Sequence, residues 1–304
     1  MRGLRATDPG DAAAVQRALR EEGYAYVPGL LDTEHVRRLC LDVEAILETT
    51  GWADARDPVT AGTRIWAESF SRIQRSERLH EVANEPALMQ LLATVLDAPF
   101  FCHPRKTARI VPPDAIGETT QPHQDYPYIQ GSIDTVTCWT PLHDVPLENG
   151  PLRVLPGSHR RGLLPLRRVP GPGGFGVEDP GPAAWYASEV HRGDVIIFHS
   201  LLVHAALPNT APRFRLSTDN RYQARTAPVC ATQLAPYRDV DGSSTWEQIG
   251  AHWDPATLET CRVDAAERVQ FHRPDDLEDW HRELVARSVR PGPYVHRADS
   301  RPVS

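Results

Sequence analysis

Along the first hundred residues, apolar positions recur at helical spacing over 10–22 and again over 32–48. In the second stretch Val36, Leu39, Cys40, Val43 and Ile46 fall on one face, and Asp32 or Thr33 can cap its start. A third helix is expected near 78–95, and "YAYVPGLL" between the first two reads as a short strand and turn. From about residue 100 the texture changes. Short apolar runs ("TVTCW", "LRVLP", "VIIFH", "FRLST") alternate with Gly, Pro and Asn turns. That succession predicts an antiparallel barrel or jelly roll rather than βαβ units.

Two stretches break the pattern. "LPLRRVPGPGGFGVEDPGPAAW", residues 164–185, is too rich in Gly and Pro for regular structure, which leaves a surface insertion or a flap over a pocket. "ERVQFHRPDDLEDWHRELVARSVRPG" reads as a loop, a polar helix and the start of an unstructured tail. No internal repeat and no clear linker is visible. A single domain is therefore expected: a helical part over about 1–98, a β core over about 99–226 and an extension over about 227–304.

Composition narrows the class without changing this picture. The 304 residues, 40% hydrophobic and 24% charged, are those of a soluble globular protein able to bury a large core. A formal net charge of −7 and no long basic run give no support for a nucleic-acid partner. No window approaches a membrane span and no apolar stretch near the N-terminus reads as a signal peptide, so a cytoplasmic protein is expected. Cys40, Cys102, Cys138, Cys230 and Cys261 are scattered and odd in number, with no C-x-x-C pair. They read as small buried side chains rather than disulfides or zinc thiolates.

The chemistry begins at "PHQDYPYIQG", residues 122–131. On a strand, His123 and Asp125 would project to one face with Gln124 turned away. An imidazole and a carboxylate together suit a divalent first-row metal, and one further histidine would complete a 2-His-1-carboxylate set. Both His199 and His204 are candidates for it on the residues alone. In "FRLSTDNRYQ", Arg215 and Ser217 lie opposite Phe214, Leu216 and Thr218. An arginine pointing into an apolar barrel is costly unless a carboxylate meets its fork; otherwise it is a surface ion pair.

H-x-D, then "ENGPL" and "PGSH", then "GD" before a strand, a distal His, an Asn and an Arg occur here in one order. In this the chain resembles the phytanoyl-CoA dioxygenase family of Fe(II)/2-oxoglutarate-dependent oxygenases, over about residues 15–225 and most closely over 100–223. The resemblance implies a double-stranded β-helix, the cupin-like jelly-roll barrel, mainly β with flanking helices. It implies His123, Asp125 and His204 as iron ligands, and Arg215 as the residue that grips the far carboxylate of 2-oxoglutarate. Trp139 falls where relatives often have an aromatic residue near iron and co-substrate, and Lys106 where they place a polar co-substrate contact, with Arg105 or Arg109 as substitutes. A small hydroxyl residue is common two positions after the distal histidine; Ala206 stands there instead. The turns at Asn149–Gly150 and Pro156–Gly157 read as structural, and His159 is not counted as catalytic.

The activity so implied uses O2 and 2-oxoglutarate to hydroxylate a C–H bond of a small-molecule metabolite, releasing succinate and CO2. With Asp125 present, hydroxylation is favoured over halogenation, whose enzymes lack that carboxylate. Desaturation, ring closure or epimerisation would use the same ligands, and a non-catalytic cupin-like binding protein would need neither the full ligand set nor Arg215. A zinc hydrolase would want a general base and no Arg215. The substrate is not legible. Tyr126, Tyr128, Trp139, Phe175, Trp185 and Tyr186 could line an aromatic pocket or only pack the core. Arg160, Arg161, Arg167 and Arg168 form a solvated basic loop or meet an anionic substrate.

Overall fold

The computed structural model describes residues 1–288 apart from 57, 61, 171–172, 238–241, 243 and 266. Among the described residues five helices come early: α1 (Ala12–Glu21), α2 (Thr33–Thr49), α3 (Arg64–Gln74), α4 (Glu77–Ala83) and α5 (Pro86–Leu96). Asp32 caps α2, its carboxylate accepting from the amides of Glu34 and His35. The helix expected over 78–95 is two helices. Pro86 starts the second, because proline lacks an amide hydrogen and disfavours helical backbone in the residue before it. α3 was not foreseen; Thr63 caps it, and Trp66, Phe70 and Ile73 turn its apolar side inward.

Among the described residues ten strands follow the chain to residue 224: β1 (Tyr24–Val27), β2 (Phe100–Cys102), β3 (Thr107–Val111), β4 (Val136–Pro141), β5 (Leu152–Val154), β6 (Leu166–Arg168), β7 (Phe175–Val177), β8 (Val195–His199), β9 (His204–Ala206) and β10 (Arg215–Ala224). Six of them make one antiparallel sheet in the order β1-β8-β4-β10-β2, with β3 also paired to β10. Both faces of this sheet are covered. Ala25, Val27, Val195, Ile197, Val136, Cys138, Leu216 and Tyr222 face the helices and join their core. Tyr24, Tyr26, Ile196, Phe198 and Trp139 fill a second core on the inner face. Double burial explains why "VIIF" reads as a continuous apolar run instead of alternating with polar residues.

The inner face looks onto a smaller layer. β5 pairs with β9, residue 123 bridges His204, and Val154 bridges Tyr186. The described strands form no closed barrel; the architecture is mixed helix and antiparallel sheet, with helices on the outer side of the larger sheet. Gly150 marks one of the turns between layers. Its φ is +72°, and a Cβ there would meet the Leu207 carbonyl at 2.5 Å.

The 164–185 stretch is more regular than its composition predicts, since β6 and β7 pair as a short antiparallel hairpin. Gly171 and Pro172 within it lie outside the described residues, as does the tail beyond residue 288. The extension carries α7 (Ala231–Leu234), β11 (Val229–Cys230) paired in parallel with β12 (Arg268–Val269), α8 (Trp246–Ile249), α9 (Pro255–Glu259) and α10 (Leu277–Ser288). Through Trp280 and Leu284, α10 buries its apolar side against Tyr126, Phe175 and Leu201. No described helix is long and apolar enough to cross a membrane.

Candidate metal centre

His123 and His204 stand directly opposite each other on neighbouring extended segments. Each amide donates to the other's carbonyl at 3.0 Å, so the two imidazoles leave the same face as a cross-strand pair, with ring centroids 4.1 Å apart. Asp125 reaches them differently from the strand geometry expected of it. Its backbone is helical (φ −72°, ψ −31°), at the entry to α6 (Tyr126–Ile129), and the Tyr126 amide ties this turn to the Ser200 carbonyl. A turn, not a strand pleat, aims the carboxylate. Gln124 turns away as expected and is put to structural use: its amide donates to the carbonyls of Leu201 and Gly162 and accepts from the Leu164 amide.

The three side chains converge. Asp125 Oδ1 is 3.7 Å from His123 Nε2 and 3.7 Å from His204 Nε2, and one ligand atom from each residue can be chosen so that all lie within 4.8 Å. Among the described residues no other group of three His, Cys, Asp or Glu side chains does so. Nδ1 of His123 bonds the Gln121 carbonyl at 2.9 Å and Nδ1 of His204 the Leu202 carbonyl at 3.0 Å. A carbonyl can only accept, so each Nδ1 carries the proton and each Nε2 keeps its lone pair for a cation.

Charge states agree with that. Burial lowers the pKa of both imidazoles, of His123 to about 3, so both are neutral at neutral pH. Burial opposes ionisation of Asp125, but Arg221, the two histidines and a hydrogen bond from Thr137 outweigh it and hold its carboxyl well below the usual range. Two neutral nitrogens and one anionic oxygen on one face of a gap are a donor set for a divalent first-row metal. The residues fit such an ion.

The larger sheet supplies the floor. Its cross-strand rows run Tyr24–Phe198–Thr137–Arg221 and Tyr26–Ile196–Trp139–Asp219. Phe198 packs against the His204 ring at 4.4 Å. Beyond them β10 presents Arg215, Ser217, Asp219, Arg221 and Gln223 on one face, all buried. Arg109, across from Ser217 on β3, donates through Nε to Asp219 at 2.6 Å.

Arg215 is 3% exposed and donates to the Ser217 hydroxyl at 2.7 Å, while its Nε has no partner among the described residues. Burial without a direct ion pair draws its pKa down to about 10. A guanidinium fork can take a carboxylate through two hydrogen bonds, and among the described residues no carboxylate forms an ion pair with Arg215 within 4.0 Å.

A cavity of about 280 Å³ opens on His123 and Asp125, lined also by Arg105, Arg109, Tyr128, Arg221, Tyr237 and Phe271. Tyr128 stacks on Phe175 of the 164–185 hairpin at 4.0 Å and donates to its carbonyl at 2.5 Å. Tyr126 is core beside Trp280; Tyr186 and Trp185 belong to other clusters. Phe271 and Tyr237 come from the extension, which sequence alone did not connect to this site.

The other expected residues have definite places. Trp139 is 2% exposed, packed among Tyr24, Tyr26 and Ile196 next to Asp219 in its row, and is not in the cavity wall. Lys106 turns away, its ammonium donating to the His103 carbonyl at 2.6 Å, whereas Arg105 and Arg109 line the cavity. His199 does not join the three; it lies 5.6 Å from the ring of His159, whose Nε2 meets the Arg20 carbonyl. Arg160 and Arg161 bond carbonyls of Glu21 and Pro180, and Arg167 and Arg168 those of Val177 and Asp275, all away from the cavity. Thr137, Asp219 and Arg221 went unnoticed in the sequence. The alternation of polar residues in "RLSTDNRYQ" is the signal that could have found the last two.

Comparison with known proteins adds to this geometry. The sequence pattern of the phytanoyl-CoA dioxygenase (PhyH) family matches residues 19–217. The chain is 28% identical over 251 residues to a 1-deoxypentalenic acid 11-beta-hydroxylase of Streptomyces arenae, covering 75% of this chain and 86% of that one. It is 26% identical to the peroxisomal phytanoyl-CoA dioxygenase of Rattus norvegicus, over 68% of this chain and 67% of the relative. Among solved structures, the epimerase SnoN from nogalamycin biosynthesis superposes with a TM-score of 0.55 at 24% identity, over 72% of this chain and 85% of its own. The carbocyclase SnoK from the same biosynthesis gives 0.54 at 22%, over 74% and 89%. These two likenesses speak to the fold.

Proposed function

The chain belongs to the phytanoyl-CoA dioxygenase (PhyH) family, and on that premise we propose that it is an Fe(II)- and 2-oxoglutarate-dependent dioxygenase that hydroxylates a C–H bond of a small-molecule metabolite. The observation that carries this reading is the convergence of Nε2 of His123, Nε2 of His204 and Oδ1 of Asp125, each with its outward atom already hydrogen-bonded. When bound, Fe(II) and 2-oxoglutarate with O2 supply the oxidising power, and CO2 and succinate leave. The chain's part is to bind, orient and exclude water.

His123, Asp125 and His204 would hold the iron, three protein ligands leaving room for a chelating co-substrate. Arg215, with Ser217 beside it, would take the distal carboxylate of 2-oxoglutarate; the unpaired Nε supports this. Arg109 or Arg105, rather than Lys106, would add the polar co-substrate contact; that both line the cavity supports this. Trp139 would act by packing. The same reading takes the two β layers as halves of a double-stranded β-helix, and the chain as one catalytic domain with the substrate cavity roofed by its extension. Five buried free cysteines fit a reducing, cytoplasmic setting. The relative that hydroxylates 1-deoxypentalenic acid supports a metabolite of specialised biosynthesis as substrate.

Anaerobic addition of Fe(II) and 2-oxoglutarate to metal-free protein tests this directly. A weak visible charge-transfer band is expected, absent in Asp125→Ala and requiring much more 2-oxoglutarate in Arg215→Ala. No band from folded wild-type protein would sink the reading.

A further inference from the structure

The carboxylate of Asp125 is used asymmetrically. Oδ1 faces the two imidazole nitrogens, at 3.7 Å from each. Oδ2 faces the larger sheet, where it accepts from Thr137 Oγ1 at 2.7 Å and from an amino nitrogen of Arg221 at 3.4 Å. Thr137 and Arg221 are themselves a cross-strand pair, directly opposite on β4 and β10, so the sheet register sets both donors against one oxygen. Arg221 is anchored in turn. Its other amino nitrogen donates to the Thr107 hydroxyl at 3.0 Å, and Asp219, held by Arg109, lies 3.9 Å away. At 5% exposure it has little freedom to swing aside.

We propose that Arg221 and Thr137 are positioning residues that occupy Oδ2 of Asp125 and thereby restrict this carboxylate to one-oxygen ligation. A carboxylate with both oxygens free can bind a metal through either or both. Binding through both would consume a coordination position that a chelating 2-oxo acid needs. Two charge-assisted or hydroxyl donors on Oδ2 make that mode costly, since they would have to be broken in a buried site. Arg221 lines the cavity and Thr137 does not, but both meet Asp125 through Oδ2, the oxygen turned from the imidazoles. Their effect is on how many positions remain open. The proposal rests on Asp125 being an iron ligand, as argued above.

The test is anaerobic titration of the Fe(II)-loaded full-length protein with 2-oxoglutarate, read by the charge-transfer band, for wild type, Arg221→Met, Arg221→Lys and Thr137→Val. Folding of each variant is checked by circular dichroism, and bound iron is measured separately. Expected for Arg221→Met is a shifted or weakened band and a 2-oxoglutarate Kd raised by about tenfold or more, the size typical of losing a ligand's outer partner. Arg221→Lys restores part of the loss, and Thr137→Val gives a smaller effect of the same kind. Loss of iron from a folded variant likewise supports positioning of Asp125.

A wild-type band and wild-type Kd in folded Arg221→Met and Thr137→Val would overturn the proposal. Should Arg221→Met not fold, Thr137→Val decides by the same readout. Failure of the iron reading is distinguishable, because then wild type itself gives no band.

Discussion

At the scale of single residues, the centre depends on which atom of each side chain is already occupied. Carbonyls take the outward nitrogens of His123 and His204, and Thr137 and Arg221 take the outward oxygen of Asp125. Elsewhere, burial of histidines has a consequence for stability. His103 and His199 are both pushed down to about 3 by burial, far below the ~6.5 of an unfolded chain. Between pH ~6.5 and about 3 the unfolded chain binds protons that the folded one refuses, so stability is present above pH ~6.5 and lost as pH falls through that window. Each such histidine contributes up to about 1.4 kcal/mol per pH unit. Urea unfolding of metal-free protein at pH 7.5 and 5.5 is expected to show the loss, with a shallower slope in His199→Gln; equal stability at both pH values would contradict it.

At the scale of elements, legibility in the sequence followed how local the cause was. Capped, periodic α2 and the apolar strands β4 and β8 were readable because caps and runs act over a few residues. The break between α4 and α5 was equally local, written in Pro86, and was overlooked. What could not be read was pairing at a distance. The role of α10 is an example: Trp280 is fully buried and meets Phe175 edge-on at 4.7 Å, fixing the 164–185 hairpin beside Tyr128 and the cavity. Trp280→Ala is expected to cost about 3–5 kcal/mol, the range for deleting a buried aromatic side chain. Limited proteolysis should then cut first within the extension and the hairpin. A variant as resistant and as stable as wild type would show that α10 contributes no such support.

For the whole molecule, the two layers meet with an apolar half, Tyr24 to Trp139, beside a charged half, Asp219 to Arg109. A cation and a dianion bound at the proposed centre would add stability by mass action, about 2.7 kcal/mol for a ligand at 100 times its Kd. Mn(II) with 2-oxoglutarate under anaerobic conditions should therefore raise the calorimetric Tm of wild type but not of Asp125→Ala. No shift in wild type would count against the metal centre. Asp125 also measures how far the sequence reached. H-x-D, the distal histidine and the buried arginine were legible because ligand chemistry admits few residue types, and their order along the chain carried the family resemblance. The aim of Asp125 was not, since a strand pleat was expected and a turn tied to Ser200 does the work. Residue types and their order thus pointed to which residues would hold the metal, and the hydrogen bonds of the folded chain to which atom of each is left for it. Only the tertiary structure decided that Arg105, Arg109 and Arg221 rather than Lys106 line the cavity and what grips the second oxygen of Asp125, because register between strands far apart in sequence is fixed by the packed core and not by any local run of residues.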